Sequence, residues 1–348
     1  MFNKKEKLPV TGAKAEDKGA LKAGAKPASL QPGAKGADKA LSEQEGKKKS
    51  KPREKFREKR SVADPNTPFA RALLIPSILG VITFFVAPFL IVIYYSFLDN
   101  PIAKEFVGFS NYGAVLGNSA FQTAAKNTLI LSAVSVPAAV VFSLLLALLL
   151  EAKIPMKSMF RTFFLSPMMV PVASIVLIWQ VIFHYNGSLN YMLAQLFDMA
   201  PIDWMKSDKS LMVVSVLFLW KNLGYNMILF MTALSNIPKD LIEVARLEGA
   251  GGIWVLTHLK LRYISPTVVF VTILSLINSF KLFREVYLLT GDYPYQSLYL
   301  LQHFMNNTFR SLDYQKLSSA ALIMALVMIF IIGLLVLTEN VFGEDIEE

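Results

Sequence analysis

Two amides and a phenol fall on one short stretch, WKNLGYNM, as Asn222, Tyr225 and Asn226. In a helix Asn222 and Asn226, four apart, share a face with Tyr225. Amides donate to and accept from hydroxyls, and an aromatic ring packs on the apolar side of a pyranose, so the trio suits a sugar. Asn278 and Ser279, in NSFKLFREVY, offer similar chemistry later in the chain. Hydrogen bonding between packed helices uses the same residue types, and both readings stay open at this point. Trp179 and Gln180 are weaker candidates for the same path, because aromatic residues are common at membrane interfaces. A different pattern occupies LIEVARLEGAGGIWVLTHLKL, residues 241–261, where acids and bases surround Gly249, Gly251 and Gly252 between two long apolar runs.

The elements that must carry these groups are read from hydropathy. Of 348 residues 54% are hydrophobic and 18% charged, and the mean hydropathy is +0.45, which is too apolar for an ordinary soluble domain. Six runs approach or exceed the ~20 helical residues needed to cross a bilayer core. They are Arg71–Ser96, Asn127–Leu150, Phe163–Phe183, Leu211–Leu234, Ile264–Leu289 and Ala320–Leu337. The runs are continuously apolar and lack the alternation of barrel strands, so the expected fold is all-α, a polytopic bundle of six transmembrane helices.

Cysteine is absent, which excludes disulfides and thiolate chemistry, and His184, His258 and His303 are too scattered in sequence to suggest a metal site. The formal net charge of +9 belongs to the amino-terminal tail. Residues 1–60 hold 18 Lys and Arg against 8 Asp and Glu, a net of +10, leaving −1 for the remainder. Residues 1–66, rich in Ala, Lys, Gly and Pro, are expected to form a disordered basic cytoplasmic tail, with 67–348 as the membrane domain. The run KKKSKPREKFREKR is read as a topology signal that touches anionic membrane lipid, not as a nucleic-acid site. No cleavable signal peptide is expected, and the first span takes that role.

A cytoplasmic amino terminus places the second and fourth connections inside. Their bases agree: Lys153, Lys157 and Arg161 in one, Lys239, Arg246, Lys260 and Arg262 in the other. The carboxyl terminus is then cytoplasmic too. The outer connection NGSLNYMLAQLFDMAPIDWMKSDKS suits a short helix and turns. The polar 241–261 stretch is therefore a cytoplasmic loop, centred on about 236–266. Ser235 or Asn236 is expected to cap a helix beginning after Pro238, with Asp240 and Glu243 early, where the helix dipole favours carboxylates. Leu241, Ile242, Ala245 and Leu247 give it an apolar side. Gly249 ends it, Gly251 and Gly252 permit a sharp turn, and a second helix from near Ile253 runs into the fifth span. Such a helix fits a groove on a partner better than anionic lipid, because acids stand at both its ends.

This loop resembles the EAA motif of permease subunits of binding-protein-dependent ABC importers. The matching positions are Glu243, Val244, Ala245, Glu248, Gly249, Ala250, Leu256, Leu259, Leu261 and Pro266. Val244 replaces an alanine, and Arg262 stands where the family usually has proline. The segments FVGFSNYGAVL, FQTAAKNTL, FRTFFLSPMMVPVASIVLIW, LSNIPKDLIEVA and LLTGDYP are similar to the maltose-type larger permease of the carbohydrate group, although GDYP departs from the usual Gly-Gly-Pro. Together the similar segments span nearly all of residues 70–342.

The resemblance implies a type I importer permease with alternating access. Glu243, Ala245, Glu248, Gly249 and Ala250 would form a coupling helix in a cleft of an ATP-binding subunit, and Glu243 would meet a base there. It implies a second permease, two ATPase copies that bind ATP and Mg, an extracytoplasmic solute-binding protein and a carbohydrate, by expectation an oligosaccharide. Asn222, Tyr225, Asn226, Asn278 and Ser279 are the candidate solute path. The chain has no Gly-x-x-x-x-Gly-Lys-Ser/Thr motif, so no cofactor and no catalysis are expected in it. The alternatives are another polar solute, such as a polyol or glycerophosphodiester, a secondary transporter or a membrane scaffold. A secondary transporter leads one to expect ionisable residues deep in several spans, and only Lys221 lies near a midplane. Lys221 is expected to pair with an acid of another subunit. Lys281 and Arg284 are expected to snorkel to the outer interface.

Overall fold

The computed structural model describes residues 68–343, apart from 101, 103, 153 and 154. The expected basic tail lies outside the described residues. A compact unit begins at Arg71. In chain order its helices are α1 Pro68–Val81, α2 Ala87–Ser96, α3 Ser110–Leu116, α4 Ser119–Glu151, α5 Lys157–Met169, α6 Val172–Phe183, α7 Ser188–Phe197, α8 Ser210–Ser235, α9 Lys239–Leu247, α10 Gly252–Trp254, α11 Leu261–Tyr263, α12 Ser265–Phe280, α13 Phe283–Thr290, α14 Leu301–Arg310 and α15 Tyr314–Gly343. Strands are absent among the described residues, and six stretches are long and apolar enough to cross a membrane.

Proline explains most departures from uniform spans. The first span widens into a π turn at Ile82–Val86 ahead of Pro88, whose missing N–H and bulky ring cannot continue a regular ladder against the carbonyl of Phe84. The third span was expected as one helix over Phe163–Phe183 and is instead broken. Val170 is extended at φ −80° and ψ 131° before Pro171, so α5 and α6 separate, and the apolar stretch of membrane length runs Val172–Phe197. The fifth span is also two helices, because α12 ends at Phe280 and α13 starts at Phe283.

The second span starts earlier than hydropathy suggests. Asn118 accepts from the backbone N–H groups of Ala120 and Phe121 at 3.0 and 3.1 Å, so the helix begins at Ser119. Its polar first turns find partners as well, Asn127 donating to the carbonyls of Gln296 and Tyr299.

The long helices α4 and α8 form the central pair, flanked by α5 and α12, while α2 packs on α15. Leu131, Val136, Ala139, Val214, Phe218 and Leu276 fill one layer between these helices, and Val140, Ala147, Leu150, Met227, Phe230 and Leu234 fill the next. Gly224 decides how closely α8 meets α5: a Cβ there would land inside the Phe164 carbonyl, so the backbones touch without an intervening side chain. Buried hydroxyls and amides join the helices, with Ser132 against Ser279 and Asn226 against Ser275, each at 2.8 Å. The first span buries none of its central residues within this chain, leaving Phe84 and Phe85 exposed. Outside the bundle Asn190 clasps one connection, donating to the carbonyls of Tyr185 and Ile202 and accepting from the Trp204 indole at 2.8 Å.

Candidate functional site

The loop between α8 and α12 has two distinct surfaces. On its inner side Ile237 and Ala245 are buried, and Ile242, Leu259 and Leu261 are partly so, packed on the cluster that joins α4 to α8. On its outer side Leu241, Val244 and Leu247 are exposed, the last at 88%, beside the exposed acids Glu243 and Glu248. Neither of these two carboxylates has a hydrogen-bond or ion-pair partner among the described residues. Of the apolar side expected from sequence, only Ile242 and Ala245 therefore face the protein. Leu241 and Leu247 join the exposed surface, because a nine-residue helix lying flat on the bundle can bury only a narrow stripe.

The helix ends as the sequence indicates and begins differently. Neither Ser235 nor Asn236 caps α9. The Ser235 hydroxyl donates back to the Met231 carbonyl in α8, Asn236 closes that helix, and Pro238 occupies the N-cap position without a side-chain bond. At the other end Gly249 adopts φ +88°. Ala250 N–H donates to the Ala245 carbonyl at 2.9 Å and Gly249 N–H to that of Arg246 at 3.1 Å, the paired bonds of a Schellman turn. Gly251 and Gly252 have no positive φ and space for a Cβ, so the sharp turn depends on Gly249 alone.

The chain then re-enters helix through α10, a π turn at Val255–Lys260 and α11, and Lys260 donates to both oxygens of Glu151 at 2.7 Å. That pair fastens the loop's exit to the cytoplasmic-side end of α4 expected from the charge pattern. Trp254 and His258 stack at 5.0 Å on the exposed side of the same segment.

The second constellation is a cavity of about 400 Å³ between α8, α12, the α12–α13 break and Met168 of α5. Asn222, Tyr225 and Asn278 line it. Asn222 lies halfway along α8. Its Nδ2 donates to the Phe218 carbonyl at 2.9 Å, and its Oδ1 accepts from Asn278 Nδ2 at 3.0 Å, so the two amides are held in fixed orientation at the wall.

Asn226 and Ser279 do not line this cavity. Asn226 is fully buried against Ser275 of α12, and Ser279 joins Ser132 and the Leu276 carbonyl, so both tie helices together away from the cavity wall. Helical spacing put Asn222 and Asn226 on one face, but one turn further along α8 the contact with α12 closes over that face. Trp179 is buried among Ile175, Val213 and Leu217 with its ring 5.3 Å from Trp220, and Gln180 is exposed; neither reaches the cavity.

The charged residues of this site sit differently from what local pattern leads one to expect. Lys221 pairs with Glu285 of its own chain, not with an acid elsewhere, and both line the cavity. Their separation of 64 residues hides the pair from any local pattern. Lys281 and Arg284 line it too, where snorkelling was expected. A larger cavity of about 490 Å³ between α4, α12 and α15 is walled mostly by apolar side chains. Its hydroxyls Thr128, Ser132 and Thr272 are already bonded to Ala124, Ser279 and Val268, so it offers little to a polar solute.

After α13 the LLTGDYP segment turns at Gly291, φ +78°, and Asp292 accepts from Arg310 at 2.5 Å. No cluster of His, Asp or Glu suited to a metal occurs among the described residues.

Residues 139–342 match the family described as the binding-protein-dependent transport system inner membrane component. The arabinooligosaccharides transport system permease protein of Bacillus subtilis (strain 168) is 32% identical over 221 residues, covering 62% of this chain and 69% of the relative. The sn-glycerol-3-phosphate transport system permease protein of Pectobacterium atrosepticum is 28% identical over 278 residues, covering 76% and 90%. A bacterial ABC transporter involved in the import of the acidic polysaccharide alginate has a chain of the same fold. Its TM-score is 0.69 at 20% identity, over 80% of this chain and 96% of that one.

Proposed function

Since the chain belongs to the family of binding-protein-dependent transport system inner membrane components, we propose that it forms half of a carbohydrate path through the membrane, opened and closed by ATPases docked on the 236–266 loop. The observation that carries this reading is continuity. Both α8 and α12 line the cavity holding Asn222, Tyr225 and Asn278, and the loop that joins them packs its inner side on the bundle while leaving Glu243 and Gly249 on the other. A push on the loop therefore moves two walls of the cavity at once. The Lys260–Glu151 pair extends that lever to α4.

In this reading Glu243 meets a base in a cleft of the ATP-binding subunit, Leu241, Val244 and Leu247 fill that cleft, and Ala245, Glu248, Gly249 and Ala250 set the angle of the turn. ATP and Mg belong to two copies of that partner subunit. A second permease completes the path, and an extracytoplasmic solute-binding protein delivers the solute. Both termini lie on the cytoplasmic side, following the bases of the second and fourth connections. Hydroxyl recognition by the amide pair and stacking on Tyr225 favour an oligosaccharide, and the arabinooligosaccharide permease among the relatives supports that class. The sn-glycerol-3-phosphate relatives keep a smaller phosphorylated polyol as the second reading.

The test is affinity purification in mild detergent of the wild type beside Glu243→Lys with Gly249→Trp, followed by identification of co-purifying chains and an ATPase assay. Co-purification of an ATP-binding subunit and a second permease with the wild type, with ATPase lost or uncoupled in the variant, is the expected result. A protein that purifies alone, with both forms behaving alike, would overturn the reading.

A further inference from the structure

We propose that the solute passing this cavity is a carbohydrate bearing anionic groups, and that Lys281 and Arg284 select it by charge. The inference rests on the cavity being the solute path and goes on to name the solute's class.

Four charged residues line the cavity, three cations and one carboxylate. The charges of Lys221 and Glu285 offset each other, which leaves two positive charges. Lys281 and Arg284 are exposed and have no acidic or carbonyl partner among the described residues, although both fall within the apolar stretch Ser265–Thr290. A charge placed in a membrane stretch is costly unless it faces water or a counter-charge. Helix electrostatics account for only one of them. Lys281 follows the last residue of α12, where a cation is favoured, whereas Arg284 stands in the first turn of α13, where it is disfavoured.

A neutral sugar needs neither. Asn222, Asn278 and Tyr225 already meet hydroxyls and a ring face, so two further unpaired cations beside them add recognition of charge. A guanidinium and an ammonium on the rim can hold a carboxylate, phosphate or sulfonate through charge-assisted hydrogen bonds, the guanidinium with two parallel donors. They also raise the local concentration of an anion over a cation.

The absence of cysteine makes a direct test available. In the complete transporter reconstituted in proteoliposomes, with partner subunits made cysteine-free, Leu274→Cys supplies one thiol in the cavity wall, and Tyr293→Cys supplies an exposed reference. The rates of modification by an anionic sulfonate-bearing and a cationic ammonium-bearing methanethiosulfonate are compared at each. The anion-to-cation ratio at Leu274→Cys is expected about tenfold above the reference. It should collapse in Lys281→Gln with Arg284→Gln and survive in Lys281→Arg with Arg284→Lys, which keeps the charge and controls for folding. Protection of the thiol is then measured with pentagalacturonate and with maltopentaose.

Protection by the acidic sugar alone, lost with the two glutamines, is the supporting outcome. Equal or better protection by maltopentaose, or a ratio that ignores the glutamines, overturns the anionic assignment and leaves the carbohydrate path standing. Protection by neither removes the path itself and the inference with it.

Discussion

The Lys221–Glu285 pair carries an asymmetry that a stability measurement can read. The Glu285 side chain is 3% exposed and its Oε2 has no hydrogen-bond partner, whereas the Lys221 side chain is 30% exposed and sits on the cavity wall. Removing the lysine, as Lys221→Met, leaves an almost fully buried carboxylate without its counter-charge. Truncating one side of a buried pair costs about 3–5 kcal/mol. Removing the acid, as Glu285→Gln, leaves an ammonium that water in the cavity can solvate, and the cost should resemble that of an accessible pair, roughly 1 kcal/mol. The double variant replaces both charges with groups of similar volume and should cost less than Lys221→Met alone, a coupling of about 2 kcal/mol or more. The assay is equilibrium unfolding of the purified protein in mixed micelles with rising dodecyl sulfate, followed by tryptophan fluorescence. Equal costs for the two single variants, or simple additivity in the double, would refute the assignment of burial and pairing.

Three further outcomes follow from the geometry. Asn222→Ala should weaken solute-stimulated uptake about tenfold or more, whereas Asn226→Ala should lower stability by about 1–2 kcal/mol through the orphaned Ser275 and leave the half-saturating solute concentration unchanged; uptake kinetics and unfolding measured side by side separate the two. Gly224→Leu should prevent α5 from seating on α8, seen as loss of the monodisperse peak on size exclusion, while Gly251→Ala, where a Cβ meets nothing, should leave that peak intact. Burial lowers the His303 imidazole from 6.5 to about 4, against a weaker upward pull from Asp292. Protonation therefore favours the unfolded state, the stabilisation is complete above pH 6.5, and up to about 3 kcal/mol is lost as pH falls from there to about 4. In the His303→Phe variant the same acid titration should show a much smaller loss over that window.

Much of this protein was legible along the chain because the forces that fix it are local. Six apolar runs of bilayer length can satisfy their backbone groups in lipid only as helices, so fold class followed from hydropathy. The ends of α9 were readable in part: proline opens it, acids and a base stand at its ends, and the one position needing φ +88° is a glycine, whereas its cap and buried stripe were not. Local rules also marked Asn222, Tyr225 and Asn278 as polar groups in membrane helices that require a reason.

What they could not do was choose among the reasons. Asn226 has the same side chain as Asn222 on the same helix face. Ser275 waits beside the first, whereas the second lies at an opening of about 400 Å³, a difference set by how α8 and α12 cross. Lys221 found its acid 64 residues away, and Lys281 and Arg284 turned from interface anchors into the charged rim of a cavity, because a break in the fifth span redirected them. Hydropathy and turn chemistry act over a few residues and are written in order along the chain. Which polar group meets solute and which meets another helix depends on distances between helices, and those exist only once the bundle has packed.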